Sequence, residues 1–170
     1  MRKPDIEQLD RILKKESESF GGKLPELHHI AWRAYFSALV GETLDGEDLL
    51  SNRDFDEKLR QYFPELEDDP VSAILCGEHY KGNYYGVADG EFVDESEFEG
   101  LYRKIKQETK HFGGQLPPPY TVAWTGQLLG LHQCNLITDS EYEQLLGMLP
   151  VVEDNPVKRV EAFTRQYASS

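Results

Sequence analysis

The residues best able to do chemistry in this chain lie close together near its middle. Cys76 and His79 are one helical turn apart, with Glu78 beside the histidine, and this is the only local arrangement that would place a thiol near a base. Such a trio could serve a hydrolase or a transferase. Because no GxGxxG, P-loop or GxSxG motif accompanies it, an enzyme is the less favoured class of function.

The five histidines do not form a metal-binding pattern. His28 and His29 are adjacent and therefore point to different sides of a helix, and the others belong to no HExxH or Cys-rich motif. Two cysteines, Cys76 and Cys134, are too few for a disulfide framework. We expect both to be reduced and partly buried, and a single bridge between them is the alternative. We therefore expect neither a metal nor a cofactor.

A stretch rich in glycine, tyrosine and acid is the predicted binding segment. Residues 77–93 contain four glycines, typical of a loop or an irregular hairpin, and three tyrosines, while residues 89–99 carry six acids and no base. Tyrosine beside carboxylates suits protein recognition, because it offers a large contact area with little loss of entropy. The alternative is that these aromatic residues only cover a seam in the fold. The candidate binding residues are Tyr80, Tyr84, Tyr85, Asp89, Glu91, Phe92, Asp94 and Glu95.

The charge of the chain restricts its partners. The 170 residues include 31 acids and 18 bases, for a formal net charge of −13. This balance argues against binding to duplex nucleic acid or to an anionic membrane, and it favours rapid association with a basic protein. Residues 40–69 hold eleven acids and three bases, whereas residues 109–137 hold no acid. We expect a broad acidic face, which either captures a basic partner or is simply solvated.

The hydrophobic residues predict a folded chain outside the membrane. They make up 39% of the sequence, which is enough for a core, yet no window approaches the ~18 consecutive apolar residues of a membrane-spanning helix. The N-terminal residues lack the apolar segment of a secretory signal. We therefore expect a cytoplasmic protein.

An internal duplication organises the sequence. Residues 11–44 match residues 103–136 at an offset of 92, with twelve identities in 34 positions that include the FGG-x-LP segment and both tryptophans. A second block, in which residues 57–71 match residues 143–157 at an offset of 86, ends in ED-(D/N)-PV. Two collinear blocks of this kind indicate two copies of one unit.

Each copy reads as four short helices. Apolar residues at helical spacing predict a first helix over residues 6–19, and each first helix ends at a Gly-Gly pair. A proline then opens the second helix, a third ends before Pro64 or Pro150, and a fourth begins at Pro70 or Pro156. The segment from Thr138 to Glu141 predicts a capped start for the third helix of the second copy.

These patterns predict an all-α fold in which two tandem repeats of a four-helix unit pack into one compact domain. The first repeat covers residues 1–78, an irregular connector rich in glycine and tyrosine covers residues 79–97, and the second repeat covers residues 98–170. Most of the repeated residues are explained by the fold alone, so we place function in the connector.

Three functional hypotheses follow. The first is an acidic protein that neutralises a basic partner, such as an immunity protein that blocks a bacterial toxin. The second is a helical adaptor or scaffold that binds partners in the groove between the repeats. The third is a hydrolase that uses Cys76, Glu78 and His79. The groove of the second hypothesis would use Trp32, Tyr35, Trp124 and Gln127.

Overall fold

Every element in the described part of the chain is helical. The computed structural model describes residues 6–22, 24–40, 53, 55–63, 70–76 and 97–164, and these ranges contain no strand, as the sequence predicts. The elements are α1 (Ile6–Ser19), α2 (Glu26–Val40), a π-helical turn (Phe55–Leu59) continued by a 3-10 turn (Arg60–Tyr62), α3 (Pro70–Cys76), α4 (Glu97–His111), α5 (Pro118–Gln133), α6 (Asp139–Leu146) and α7 (Val157–Thr164). We call residues 55–63 the strap.

The two Gly-Gly pairs end α1 and α4 in the same way. Gly21 and Gly22 have φ angles of 81° and 102°, and Gly113 and Gly114 have φ angles of 80° and 109°. In each pair the second glycine donates its N–H to the carbonyl oxygen five residues earlier, at 2.9 Å. This hydrogen bond belongs to the Schellman motif, and glycine adopts the required left-handed backbone without steric strain.

The centre of the fold is the contact between α2 and α5. A Cβ atom added at Gly130 would lie 2.5 Å from the Cβ of Ala38 and 2.9 Å from the backbone oxygen of Tyr35, so the two helices touch through their backbones at this point. Gly126 meets the backbone oxygen of Ala31 in the same way, at 2.7 Å. Small residues at these positions therefore allow the close approach.

Residues before and after the connector contribute to one hydrophobic core. Trp32 and Trp124 are 0% and 1% exposed, and Tyr35, Phe36 and Leu128 are also fully buried. The described part of the molecule is therefore compact. No helix within the described ranges has the length and apolar character needed to cross a membrane.

A buried chain of hydrogen bonds ties the last helix to the central pair. The hydroxyl group of Tyr35 donates to Oε1 of Gln133 at 2.5 Å, and Nε2 of Gln133 donates to Oγ1 of Thr164 at 2.9 Å. The Thr164 hydroxyl group in turn donates to the carbonyl oxygen of Val160 at 2.7 Å. Buried polar groups that are paired in this way restrict how α2, α5 and α7 can be arranged.

Candidate functional site

The predicted binding segment lies outside the described residues. The described chain stops at Cys76, where α3 ends, and resumes at Glu97, where α4 begins. Glu78 and His79 of the proposed nucleophile–base trio fall in this gap as well. The binding residues concerned are Tyr80, Tyr84, Tyr85, Asp89, Glu91, Phe92, Asp94 and Glu95.

A partly buried ion pair joins the end of α1 to α7. Glu16 is 1% exposed, and its Oε1 atom accepts hydrogen bonds from Nε of Arg159 at 3.1 Å and from Nη2 at 2.5 Å. The other carboxylate oxygen of Glu16, Oε2, is buried without a hydrogen-bond partner. The Arg159 side chain is half exposed, so the pair links a buried anion to the surface.

The side chains around this ion pair form what we call the first corner, which comprises Glu16, Phe20, His28 and Arg159. The His28 ring lies 4.7 Å from the Phe20 ring, and the Arg159 guanidinium carbon lies 5.8 Å from the centre of the Phe20 ring. Nδ1 of His28 is buried and has no hydrogen-bond partner. Burial lowers the pKa of His28; the negative charge of Glu16 opposes this shift, and the positive charge of Arg159 adds to it.

What we call the second corner comprises Glu108, Phe112 and Tyr120, which match Glu16, Phe20 and His28 in the sequence. It repeats the ring geometry of the first corner with different chemistry. Phe112 and Tyr120 lie 4.6 Å apart at an interplanar angle of 53°, compared with 4.7 Å and 55° for Phe20 and His28. Glu108, which matches Glu16, is 0% exposed. The first corner therefore carries His28 and Arg159, whereas the residues at the matched positions are Tyr120 and Ala73.

His29 is a buried imidazole under the strap. It is 1% exposed, both of its ring nitrogens lack hydrogen-bond partners, and its ring stacks on Phe63 at 5.1 Å and 9°. Burial is the main cause that lowers the pKa of His29 to about 4, and the positive charge of Arg33 lowers it further. His29 is therefore neutral at pH 7, and it faces a different neighbour from His28, as adjacency on a helix requires.

The strap is held on α1 by polar contacts at its edge, and its apolar side chains pack against the core. The Tyr62 hydroxyl group donates to Oδ1 of Asp10 at 2.8 Å, and Nζ of Lys58 lies 3.0 Å from Oε1 of Glu7. Burial and the hydrogen bond to Asp10 raise the pKa of Tyr62 to about 12. Leu59 is 0% exposed and anchors the strap in the core.

A third cluster lies at the start of α6. Nε2 of His132 is 2.5 Å from Oδ1 of Asp139, and the His132 ring stacks on Tyr142 at 4.4 Å.

Cys134 is a free thiol that is 8% exposed, and burial raises its pKa to about 11, so it is a poor nucleophile at neutral pH. Within the described ranges, no group of three or more His, Cys, Asp or Glu side chains could hold a metal ion.

Sequence reasoning missed the ion pair of the first corner. Glu16 and Glu108 are identical residues at the offset of 92, and this identity of two acids on otherwise amphipathic helices was a usable signal for burial. Arg159 gave no such signal, because it lies 143 residues from Glu16 and only packing brings the two together.

Comparison with known proteins identifies no relative: no family model, no curated protein and no solved structure matches this chain.

Proposed function

We propose that this chain is a protein-binding protein that neutralises a basic partner through its connector. The most specific form of the proposal is an immunity protein bound to a toxin. The observation that carries it is the charge distribution: a net charge of −13, with six acids and no base in residues 89–99, next to three tyrosines in residues 77–93. A charge of this size attracts a basic surface over long range, and tyrosine then supplies contact area.

The packing of the helices supports this choice of surface. Most large aromatic side chains of the described helices belong to the core, and the exposed large hydrophobic residues among those described are Phe20, Tyr102 and Val151. These three residues are scattered along the chain. Aromatic contacts with a partner are therefore better supplied by the connector, where four aromatic residues lie within thirteen positions (80–92).

The same packing weakens the adaptor hypothesis in its groove form. Trp32, Tyr35 and Trp124 are all 0–1% exposed, and α2 lies directly against α5. A partner could reach these side chains only if packed helices moved apart. The hydrolase hypothesis stays a prediction, since Glu78 and His79 lie outside the described residues.

We also propose that residues 1–78 and 98–170 are two copies of one four-helix unit. Two features support the proposal: the matched Gly-Gly corners have nearly equal φ angles, and the Phe20–His28 and Phe112–Tyr120 ring pairs have nearly equal geometry. An experimental structure tests it by superposition of residues 6–39 on residues 98–131. Trp32 and Trp124 should coincide, and unrelated positions for these two side chains would contradict the proposal.

The binding proposal is tested with the double variant Y84A/Y85A. The wild-type chain is used to capture a partner from the native host, and the affinity of the purified partner is then compared for both chains. We expect a loss of about 30-fold or more, which corresponds to at least one hot-spot residue of about 2 kcal/mol. The control is Y102A, which removes an exposed tyrosine of α4 outside the connector and should leave the affinity unchanged.

If charge attracts the partner, the association rate constant must also depend on the salt concentration. The rate constant should fall steeply as salt rises to about 0.15 M, where charges interact over only about 8 Å, and D89N/E91Q should flatten that dependence. Two results would argue against the connector as the binding surface. One is an association rate constant that does not change with salt, and the other is an equal loss of affinity in Y84A/Y85A and Y102A.

A further inference from the structure

We propose that His28 and His29 form an acid-sensitive release device, in which protonation loosens the strap, and to a smaller degree the first corner, while α2 and α5 stay packed. The device is independent of the proposed function. It requires only that the two imidazoles face separate pieces of the fold and that a buried positive charge is unfavourable there.

The two histidines are the third and fourth residues of α2, and they reach opposite neighbours. His28 contacts Phe20, which is 39% exposed at the edge of the first corner. His29 stacks on Phe63, at the end of the strap. Both rings lie in the first turn of a helix, where the partial positive charge of the helix dipole also opposes protonation.

His29 cannot accept a proton without a change in its surroundings. It is 1% exposed, neither ring nitrogen has a hydrogen-bond partner, and the charged group that acts on it is the positive Arg33, one turn further along α2. An imidazolium would gain some attraction from the face of Phe63. That gain is smaller than the loss of hydration of an unpaired buried charge, so protonation favours states in which the strap has opened.

His28 responds more weakly, because two opposite charges act on it. Glu16 on α1 favours its protonated form and Arg159 on α7 opposes it, and the ring is only half buried. The matched positions in the second half carry Tyr120 and Thr121, neither of which titrates between pH 4 and 7. The second half of the chain is therefore an internal reference for the acid sensitivity of the first half.

The direction of the effect follows from linkage. His29 binds a proton near pH 6.5 when it is exposed and near pH 4 when the strap is closed, so the closed state is fully favoured above pH 6.5 and is progressively lost as the pH falls towards 4. At pH 4.0 about half of the closed molecules would themselves bind the proton, so these two pKa values correspond to an increase of about 150-fold in the opening equilibrium constant between pH 7.5 and pH 4.0.

Hydrogen exchange detected by mass spectrometry tests the device. Exchange of residues 55–63 and of residues 118–133 is followed from pH 7.5 to 4.0 and corrected for the intrinsic pH dependence of exchange. We expect protection of the strap to fall by about 150-fold by pH 4.0 in the wild type while α5 stays protected. The variant H29L should remove the fall. The variant H111Q, at an exposed histidine, should preserve it.

Three results would overturn the proposal. The first is an equal fall in protection in H29L, and the second is a parallel loss of protection in α5, which would mean global unfolding. The third comes from the wild type alone and so does not depend on whether H29L folds: an NMR titration that shows the ring of His29 protonated with a midpoint near pH 6.5 while the protein stays folded.

Discussion

The two corners of the molecule have the same shape and different charge. In both, a Gly-Gly pair turns the chain so that a phenylalanine lies 4.6–4.7 Å from the ring eight residues further on. That ring is an imidazole in the first corner and a phenol in the second. Backbone turn and ring contact therefore set the geometry, while the chemistry of the corner can change without changing its shape.

The central helices differ in a complementary way. The positions of α2 that carry Ala34 and Ala38 match Gly126 and Gly130 of α5. Since a Cβ atom at Gly130 would meet both a side chain and a backbone oxygen at under 3.0 Å, the contact between the helices depends on which half carries glycine. The two halves are alike in sequence pattern but not interchangeable in packing.

The largest expected effect comes from removing the arginine that distinguishes the first corner. R159M leaves the buried Glu16 carboxylate without its partner and should lower the free energy of unfolding by about 3 kcal/mol, measured by urea denaturation. R53M is the control, because Arg53 and Glu57 form a pair whose side chains are 84% and 57% exposed, and it should change stability by less than about 0.5 kcal/mol. Equal effects of the two variants would show that the corner pair is only a surface contact.

A smaller loss is expected when the two central helices are made more alike. G130A should lower the free energy of unfolding by about 2 kcal/mol, although alanine normally stabilises a helix relative to glycine. G147A is the control, since its Cβ atom would meet nothing closer than 3.4 Å. The double variant A38G/G130A should recover part of the loss, and a G130A variant as stable as the wild type would disprove the close approach.

The strap and α6, which lie at matched positions in the two halves, provide a further test of the difference between the halves. Thr138 and Glu141 form a capping box at the start of α6, with hydrogen bonds of 2.9 and 3.1 Å, whereas Phe55 occupies the position that matches Glu141. T138A should therefore lower the free energy of unfolding by about 1 kcal/mol, measured by calorimetry. S140A, at an exposed neighbour in the same turn, is the control, and similar losses in both variants would argue against the cap.

The smallest effect is expected from making the two corners chemically alike. H28Y places the second-corner ring in the first corner and should change the free energy of unfolding at pH 7 by less than about 1 kcal/mol, because the ring contact is preserved. The acid sensitivity attributed to His29 should remain in this variant. A large loss at pH 7 would show that the corners are not equivalent and would count against two copies of one unit.

Local signals account for the parts of the fold that were predicted well. The predicted first helix coincides with α1 (Ile6–Ser19), and the predicted capped start at Thr138 coincides with the start of α6. These features depend on hydrogen bonds and side-chain spacing within a few residues. The strap was predicted as an ordinary helix and is instead a π-helical turn followed by a 3-10 turn.

The site was predicted less well, for a physical reason. The sequence shows that His28 and His29 point in different directions, but it cannot show that His29 is closed under Phe63 or that Arg159 reaches Glu16. Those contacts join segments 34 and 143 residues apart, so they depend on how the helices pack. The connector residues, from Tyr80 to Glu95, stay a prediction from composition.

The sequence by itself determined the helical elements, the glycine corners and the strong negative charge, because each depends on neighbouring residues or on composition alone. Only the tertiary structure decided which polar groups lost their water and what replaced it. The burial of Glu16 and His29 results from distant segments that cover them, and the free energy of a buried charge depends on that environment rather than on residue type.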